Sequence, residues 1–169
     1  PQILIKALCA RGERGELHDV CIHHLHTEGS APYADEKFNG IFFHQGFFIG
    51  ANVRKGVQSG YADYIPVFLS ETQKLYRCGA LPCDVAMIQV CPPDKHGFVS
   101  LGTSVDATLA AIECAKTVIA VVNPNVPRAW GQAMIPMSCI DLFVEDDTPL
   151  EPAHFAEPSD IEIAIGKHC

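Results

Sequence analysis

Two histidines one residue apart, His24 and His26, are the first groups in this sequence whose types and spacing can do chemistry. The segment Val20-Cys-Ile-His-His-Leu-His26 alternates enough to read as a strand. Such a strand projects His24 and His26 from one face and Leu25 from the other. An H-x-H pair of this kind can supply two ligands of a hydrolytic metal, but a third ligand and a carboxylate base are also needed. The sequence marks neither, so a polar strand end is the competing reading. A second candidate is Arg54, which with Lys55 falls in the first turn of a helix predicted over 51–60, with Asn52 at its cap and Gly60 past its end. The helix dipole disfavours cations there unless an anion lies nearby. Arg54 is therefore a candidate phosphate or carboxylate contact, set against two solvated charges.

The elements that must position these groups are clearest in 81–123. Val85-Ala-Met-Ile-Gln-Val90 and Thr117-Val-Ile-Ala-Val-Val122 are apolar runs without polar alternation, the habit of strands covered on both faces in parallel sheets. Flanking Pro82, Asp84, Pro92, Pro93, Pro124 and Pro127 argue against buried helices. Between the runs, Thr103-Ser-Val-Asp106 has a helix-start pattern, and a helix over 104–115 would line up Val105, Leu109 and Ile112. These pieces read as one right-handed strand-helix-strand crossover. The turn Asp94-Lys-His-Gly97 inserts a short strand over 98–101. Ligands of open α/β sheets gather beyond the carboxyl ends of the strands, which directs attention to the loops starting at Cys91 and Asn123.

Elsewhere, a first helix is expected with Ile3, Leu4, Ala7 and Leu8 on one face and Pro1 at its start. Residues 27–40 form a long polar loop. Phe42, Phe43, Phe47, Phe48 and Ile49 supply bulky core groups around Gly46 and Gly50. The run 61–69, broken by Pro66, reads as an edge strand, followed by a short helix capped by Ser70. Residues 140–144 make one more strand. The acidic, proline-rich stretch 145–158 reads as a connection out of the domain, and Ser159-Asp-Ile-Glu162 as a capping box. Both chain ends read as those of a piece of a longer polypeptide.

At 169 residues and 48% apolar composition, the chain fits one soluble globular domain with a sizeable core. A net charge of −8 disfavours a general nucleic-acid binder but allows a phosphate-bearing small ligand. No run reaches the ~20 apolar residues of a membrane span. The eight cysteines include no C-x-x-C and read as free thiols in a reducing cytoplasm, with zinc as the alternative. Dinucleotide, Walker, zincin and nucleophile-elbow motifs are absent.

Three segments together carry a resemblance. The stretch 52–66 (Asn-Val-Arg-Lys-Gly-Val-Gln-Ser-Gly-Tyr-Ala-Asp-Tyr-Ile-Pro), the stretch 81–98 with its Pro-Pro-Asp-Lys-His-Gly-Phe, and Gly102-Thr-Ser-Val-Asp106 resemble the N-terminal domain of the acetyl-CoA hydrolase/transferase family. The resemblance implies an α/β fold of CoA-transferase type (NagB/RpiA-like), with an open, largely parallel sheet and helices on both faces. It implies that 1–150 is the N-terminal CoA-transferase domain lacking its first strand, and that 151–169 is a linker and the start of a helix leading to a missing C-terminal domain. The implied chemistry moves coenzyme A between an acyl-CoA and a short-chain carboxylate, 4-hydroxybutyrate or butyrate with acetate, through a glutamyl-CoA thioester. Coenzyme A is then a co-substrate, with no permanently bound cofactor or metal.

In the family that glutamate belongs to the second domain, so Glu71, despite following Ser70, is not assigned as the nucleophile, and no catalytic residue is expected in this chain. The residues expected to wall the acyl and CoA cleft are Ser30, Asn52, Arg54, Glu71, His96, Gly97, Ser104 and Asn123. Asn52 and Ser104 fit equally as helix caps, and His96 as a member of its own turn. The implied partners are an acyl-CoA, a carboxylate, the missing domain and, in the full-length enzyme, further copies of the chain in a cytoplasmic homo-oligomer. A sugar-phosphate isomerase or deaminase of the same broad fold, a metal hydrolase built on His24 and His26, and a non-catalytic acyl-CoA-binding or assembly domain are the alternatives.

Overall fold

The computed structural model describes residues 1–152 and 156–169. Residues 153–155, in the proline-rich connection, lie outside the described residues.

The two apolar runs form β4 (Val85–Val90) and β6 (Thr117–Val122), paired in parallel with Val85 opposite Thr117 and Val90 opposite Val122. On the far side of β6, β8 (Leu142–Glu145) adds a third parallel strand. Ala86, Ile88 and Val90 of β4 and Val118 and Ala120 of β6 are buried with Val99, Leu101 and Ile112 in one aliphatic core. The other face, with Met87 and Ile119 half-buried and Val85 and Leu142 exposed, is only partly covered, although most of its residues are apolar as well. The short strand β5 (Phe98–Ser100) is present and pairs antiparallel with β7 (Met134–Pro136). Strand β7 left little trace in the sequence, being three residues long and ending in proline.

The crossover helix α4 spans Thr108–Cys114 and starts four residues later than the pattern at 103–106 predicts. The Asp106 carboxylate instead accepts from the Ala107 amide and the Thr108 hydroxyl. A shorter Asp cannot reach back as Glu or Gln does, so the box does not form there. Val105 consequently lies outside the helix and is exposed, whereas Ile112 is buried.

The first half of the chain builds a second parallel sheet, β1 (Val20–His24), β2 (Phe42–Gly46) and β3 (Ala62–Tyr64), in that spatial order. His24 stands opposite Gly46, and His44 opposite both Ile22 and Ala62. Period-2 alternation sends Val20, Ile22, Phe42 and Ala62 to one face, against α1 (Gln2–Glu13) and α2 (Ala51–Gln58). Helix α1 presents Ile5, Cys9 and Gly12 inward; of the predicted face Ile3, Leu4, Ala7 and Leu8, Leu8 packs against the core, Leu4 is half-buried and Ile3 and Ala7 are exposed. Gly12 selects this rotation: a Cβ there would stand 2.8 Å from the Phe42 ring, so only glycine lets helix and strand approach so closely. On the opposite face Phe47 packs against Tyr76 of α3 (Thr72–Arg77), with Ala107 and Ala110. Helices therefore cover both faces.

Two caps differ from expectation. Helix α2 begins after Gly50 and has no side-chain cap, placing Asn52 inside its first turn. Ser70 lies in a 3-10 turn at 69–71 ahead of α3 and caps nothing; the Thr72 hydroxyl donates to the Leu69 carbonyl instead. The capping box at Ser159 and Glu162 is formed and opens α5 (Asp160–Gly166). Among the described residues β1 and β4 are each hydrogen-bonded to a strand on one side only, and no helix is long and apolar enough to cross a membrane.

Candidate functional site

Beyond the carboxyl ends of β1, β2 and β3 the chain leaves an open groove of about 490 Å³. Leu25, Phe47 and Val67 give it an apolar floor, Phe48, Tyr64 and Leu69 its rim, and His26 and Thr72 its polar edge. Phe48 is 55% and Leu69 62% exposed, an arrangement that leaves apolar surface in water where a strand-end crevice opens. A second depression, about 620 Å³, is lined by Asp35, Lys37, Lys55, Ser59 and Tyr61. It lies toward the amino ends of β2 and β3 and carries none of the predicted site residues.

Two of those residues, Ser30 and Asn52, meet at the loop that follows β1. Asn52 donates from Nδ2 to the carbonyls of Thr27 and Gly29, at 2.8 and 3.0 Å. Ser30 donates to Gln2 Oε1 at 3.1 Å, and Gln2 returns a bond to the Ser30 carbonyl. These bonds fasten the loop to the starts of α1 and α2. Arg54, two residues on and so on the other side of α2 from Asn52, is exposed and has no ion pair among the described residues. Glu71 stands next to Thr72 of the groove wall and pairs with Lys74 at 3.1 Å.

Behind this loop lies a histidine cluster of which the sequence singled out only His24. His44 is fully buried and its Nδ1 donates to the Ile22 carbonyl at 2.9 Å, which leaves a bare lone pair on Nε2. The His24 ring stacks on it with centroids 4.3 Å apart, and His24 Nε2 lies 2.7 Å from the Tyr33 hydroxyl. Nδ1 of His23, Nδ1 of His24 and Nε2 of His44 are buried without hydrogen-bond partners among the described residues. Burial, then the neighbouring His44, holds His24 down to about 3, so the cluster is neutral at physiological pH. Burial lowers His23 and His44 as well and raises the Tyr33 phenol. The H-x-H pair is not a metal centre in this arrangement. His26 falls past the end of β1 and pairs with Glu28 at 2.8 Å, and the described residues hold no group of three metal-ligating side chains.

The other predicted residues sit at the ends of β4 and β6. The Asp94 carboxylate accepts from the amides of His96 and Phe98, at 2.8 and 3.0 Å, and Gly97 donates to the Asp94 carbonyl. His96 is exposed at the tip of this turn, and Gly97 adopts φ 79°, a left-handed conformation that favours glycine. Hydrogen bonds from the Phe98 and His96 amides to its carboxylate, with Arg128 nearby, hold the Asp94 carboxyl below the usual range. Asn123 is buried and fully partnered: Nδ2 donates to the Thr148 carbonyl and Oδ1 accepts from the Asn125 amide, both at 2.8 Å. Ser104 is exposed in the turn before α4 and caps no helix.

Sequence reasoning missed Tyr33, His44, Asp94 and Arg128. Asp94 was visible inside the Pro-Pro-Asp-Lys-His-Gly-Phe run, whereas the others meet their partners only through the tertiary fold.

The sequence and the fold both have counterparts. Residues 1–152 match the family described as acetyl-CoA hydrolase/transferase N-terminal domain. A succinyl-CoA:acetate/propanoyl-CoA:succinate CoA transferase of Fasciola hepatica is 41% identical over 167 residues, which are 99% of this chain and 34% of that protein. A 4-hydroxybutyrate coenzyme A transferase of Clostridium kluyveri is 43% identical over 148 residues, 88% of this chain and 34% of the relative. The crystal structure of RipA from Yersinia pestis superposes with a TM-score of 0.81 at 28% identity, over 94% of this chain and 39% of that one. The chain thus spans about a third of the length of the curated relatives it matches.

Proposed function

The chain belongs to the acetyl-CoA hydrolase/transferase family through its N-terminal domain, and from that premise we propose that the whole protein carries coenzyme A from an acyl-CoA to a short-chain carboxylate. The observation that carries this reading is the apolar groove beyond β1–β3, with the loop that bears Ser30, held by Asn52, following its His26 edge and Glu71 next to its Thr72 wall. An apolar floor suits the hydrocarbon of a short acyl group, and the exposed Arg54 of α2, without an ion pair among the described residues, is the candidate for its carboxylate or the phosphates of CoA. The carboxylates named by the relatives, acetate and 4-hydroxybutyrate among them, are the first to try.

In this reading the chain forms one wall of the cleft, and the reactive glutamate comes from outside it. The glutamate carboxylate attacks the thioester carbonyl and expels CoA as thiolate, giving a mixed anhydride. The thiolate then attacks the glutamyl carbonyl of the anhydride and releases the first carboxylate, leaving a glutamyl-CoA thioester. An incoming carboxylate reverses both steps. Each tetrahedral intermediate concentrates charge on one oxygen, so fixed donors near the wall lower the barrier.

The test is to incubate the full-length protein with an acyl-CoA labelled in its CoA part, without acceptor. Stoichiometric protein-bound label that is discharged by acetate or 4-hydroxybutyrate supports the reading. Turnover with no covalent CoA at any time would refute the thioester route, and absence of transfer to every short-chain acid would refute the transferase itself.

A further inference from the structure

Arg128 stands where the loop beyond β6 meets the β4–β5 turn, and its planar guanidinium spans several acceptors of that turn. Nη2 donates to the Pro92 carbonyl at 2.5 Å, Nη1 to the Phe98 carbonyl at 3.4 Å, and Nη1 lies 3.8 Å from Asp94 Oδ2. The other Asp94 oxygen is occupied by the amides of His96 and Phe98. Arg128 therefore braces both ends of the turn and the carboxylate inside it, leaving the His96 side chain free at the tip.

The frame around Arg128 does not depend on it. Ser100 Oγ donates to the Ala129 carbonyl at 2.8 Å and accepts from the Ala129 amide at 3.0 Å, joining the same loop to β5. Met137 donates to the Gly97 carbonyl at 2.9 Å, and Asn123 fixes the loop's other end. What the guanidinium adds is local: it sets the angle and stiffness of residues 94–98. It also adds charge, since Arg128 and, in the turn itself, Lys95 accompany a single carboxylate of that turn, Asp94, in a chain whose net charge is −8. Such a spot draws anionic ligands.

We propose that Arg128 is a positioning residue that holds the His96–Gly97 turn for contact with the anionic part of the acyl-CoA, an inference that rests on the transferase reading. A lysine cannot replace it, because one ammonium does not reproduce the fork that meets the two carbonyls and the carboxylate.

The experiment compares wild type, Arg128→Ala and Arg128→Lys in the full-length protein by steady-state kinetics, thermal unfolding and amide hydrogen exchange. Arg128→Ala is expected to raise KM for the acyl-CoA about tenfold, with KM for the carboxylate and Tm nearly unchanged, and to speed exchange at the His96 and Phe98 amides about tenfold. Arg128→Lys should recover less than half of the loss. Unchanged exchange at those two amides overturns the clamp. So does a change in which kcat and both KM values worsen together with a falling Tm. Should wild type transfer no CoA, the functional reading fails separately, and exchange at His96 and Phe98 alone decides the clamp.

Discussion

The two parallel sheets treat their strand ends in opposite ways. Beyond β4 and β6, polar side chains are tied up in structure: Asn123 is saturated, Ser100 bridges to Ala129, and Asp94 is shared between backbone amides and Arg128. Beyond β1 and β2, Arg54 has no ion pair among the described residues and three imidazole nitrogens are buried without partners. Buried polar groups are normally satisfied because leaving one bare costs about 1–3 kcal/mol. The first half of the molecule thus retains more unmatched polar groups, whereas in the second the polar network braces a turn whose His96 side chain stays exposed at the tip.

That contrast can be broken in the second half first. Asn123→Ala removes a buried donor and a buried acceptor from the Asn125 and Thr148 backbone, and should destabilise the protein by about 3 kcal/mol in urea unfolding. A loss below about 1 kcal/mol would show that the saturated network is not what holds the end of β6.

Acid tests the other half. Burial lowers His24 from 6.5 to about 3 in the folded protein, so the unfolded chain binds more protons in that interval. The corresponding stability is complete above pH 6.5 and drains away as pH falls through 6.5 toward 3, amounting to about 3 kcal/mol by pH 4.5. A His24→Phe variant should show a flatter pH dependence; a slope equal to wild type would exclude the histidine cluster as its source.

Smaller effects sharpen the division between binding and folding. Arg54→Ala should lower kcat/KM for acyl transfer about tenfold while leaving unfolding within about 0.5 kcal/mol of wild type, because the exposed side chain has no ion pair to lose among the described residues. Unchanged kinetics would remove Arg54 from the site. Tyr33→Phe strips the hydroxyl from His24 Nε2, which lies 2.7 Å away, and should cost about 1 kcal/mol of stability. If it costs nothing, that contact contributes no net stability.

Much of this organisation was legible from residue patterns. The runs 85–90 and 117–122 announced a parallel pair, because uninterrupted β-branched and aliphatic residues bounded by prolines suit little else, but the covering expected on both faces is complete on one only. The turn at Asp94–Gly97 followed from local chemistry, as did the capping box at Ser159. The pattern at 103–106 failed because Asp is one methylene shorter than Glu, and Asn52 was read as a cap although its amide reaches across the fold to the loop at 27–29. Both errors concern short polar side chains, one taking a different local partner and the other a distant one.

The amino-acid sequence by itself determined the parallel architecture of β4 and β6, the turn chemistry and the resemblance to CoA-transferases, since each depends on neighbours in the chain or on a run of specific residues. Tertiary structure alone decided that His24 stacks on His44 across two strands, that Asn123 is saturated, and that Arg128 reaches from one loop to the carboxylate of another. Those contacts join residues many positions apart, and no local pattern fixes which of a side chain's possible partners packing will bring within hydrogen-bond range.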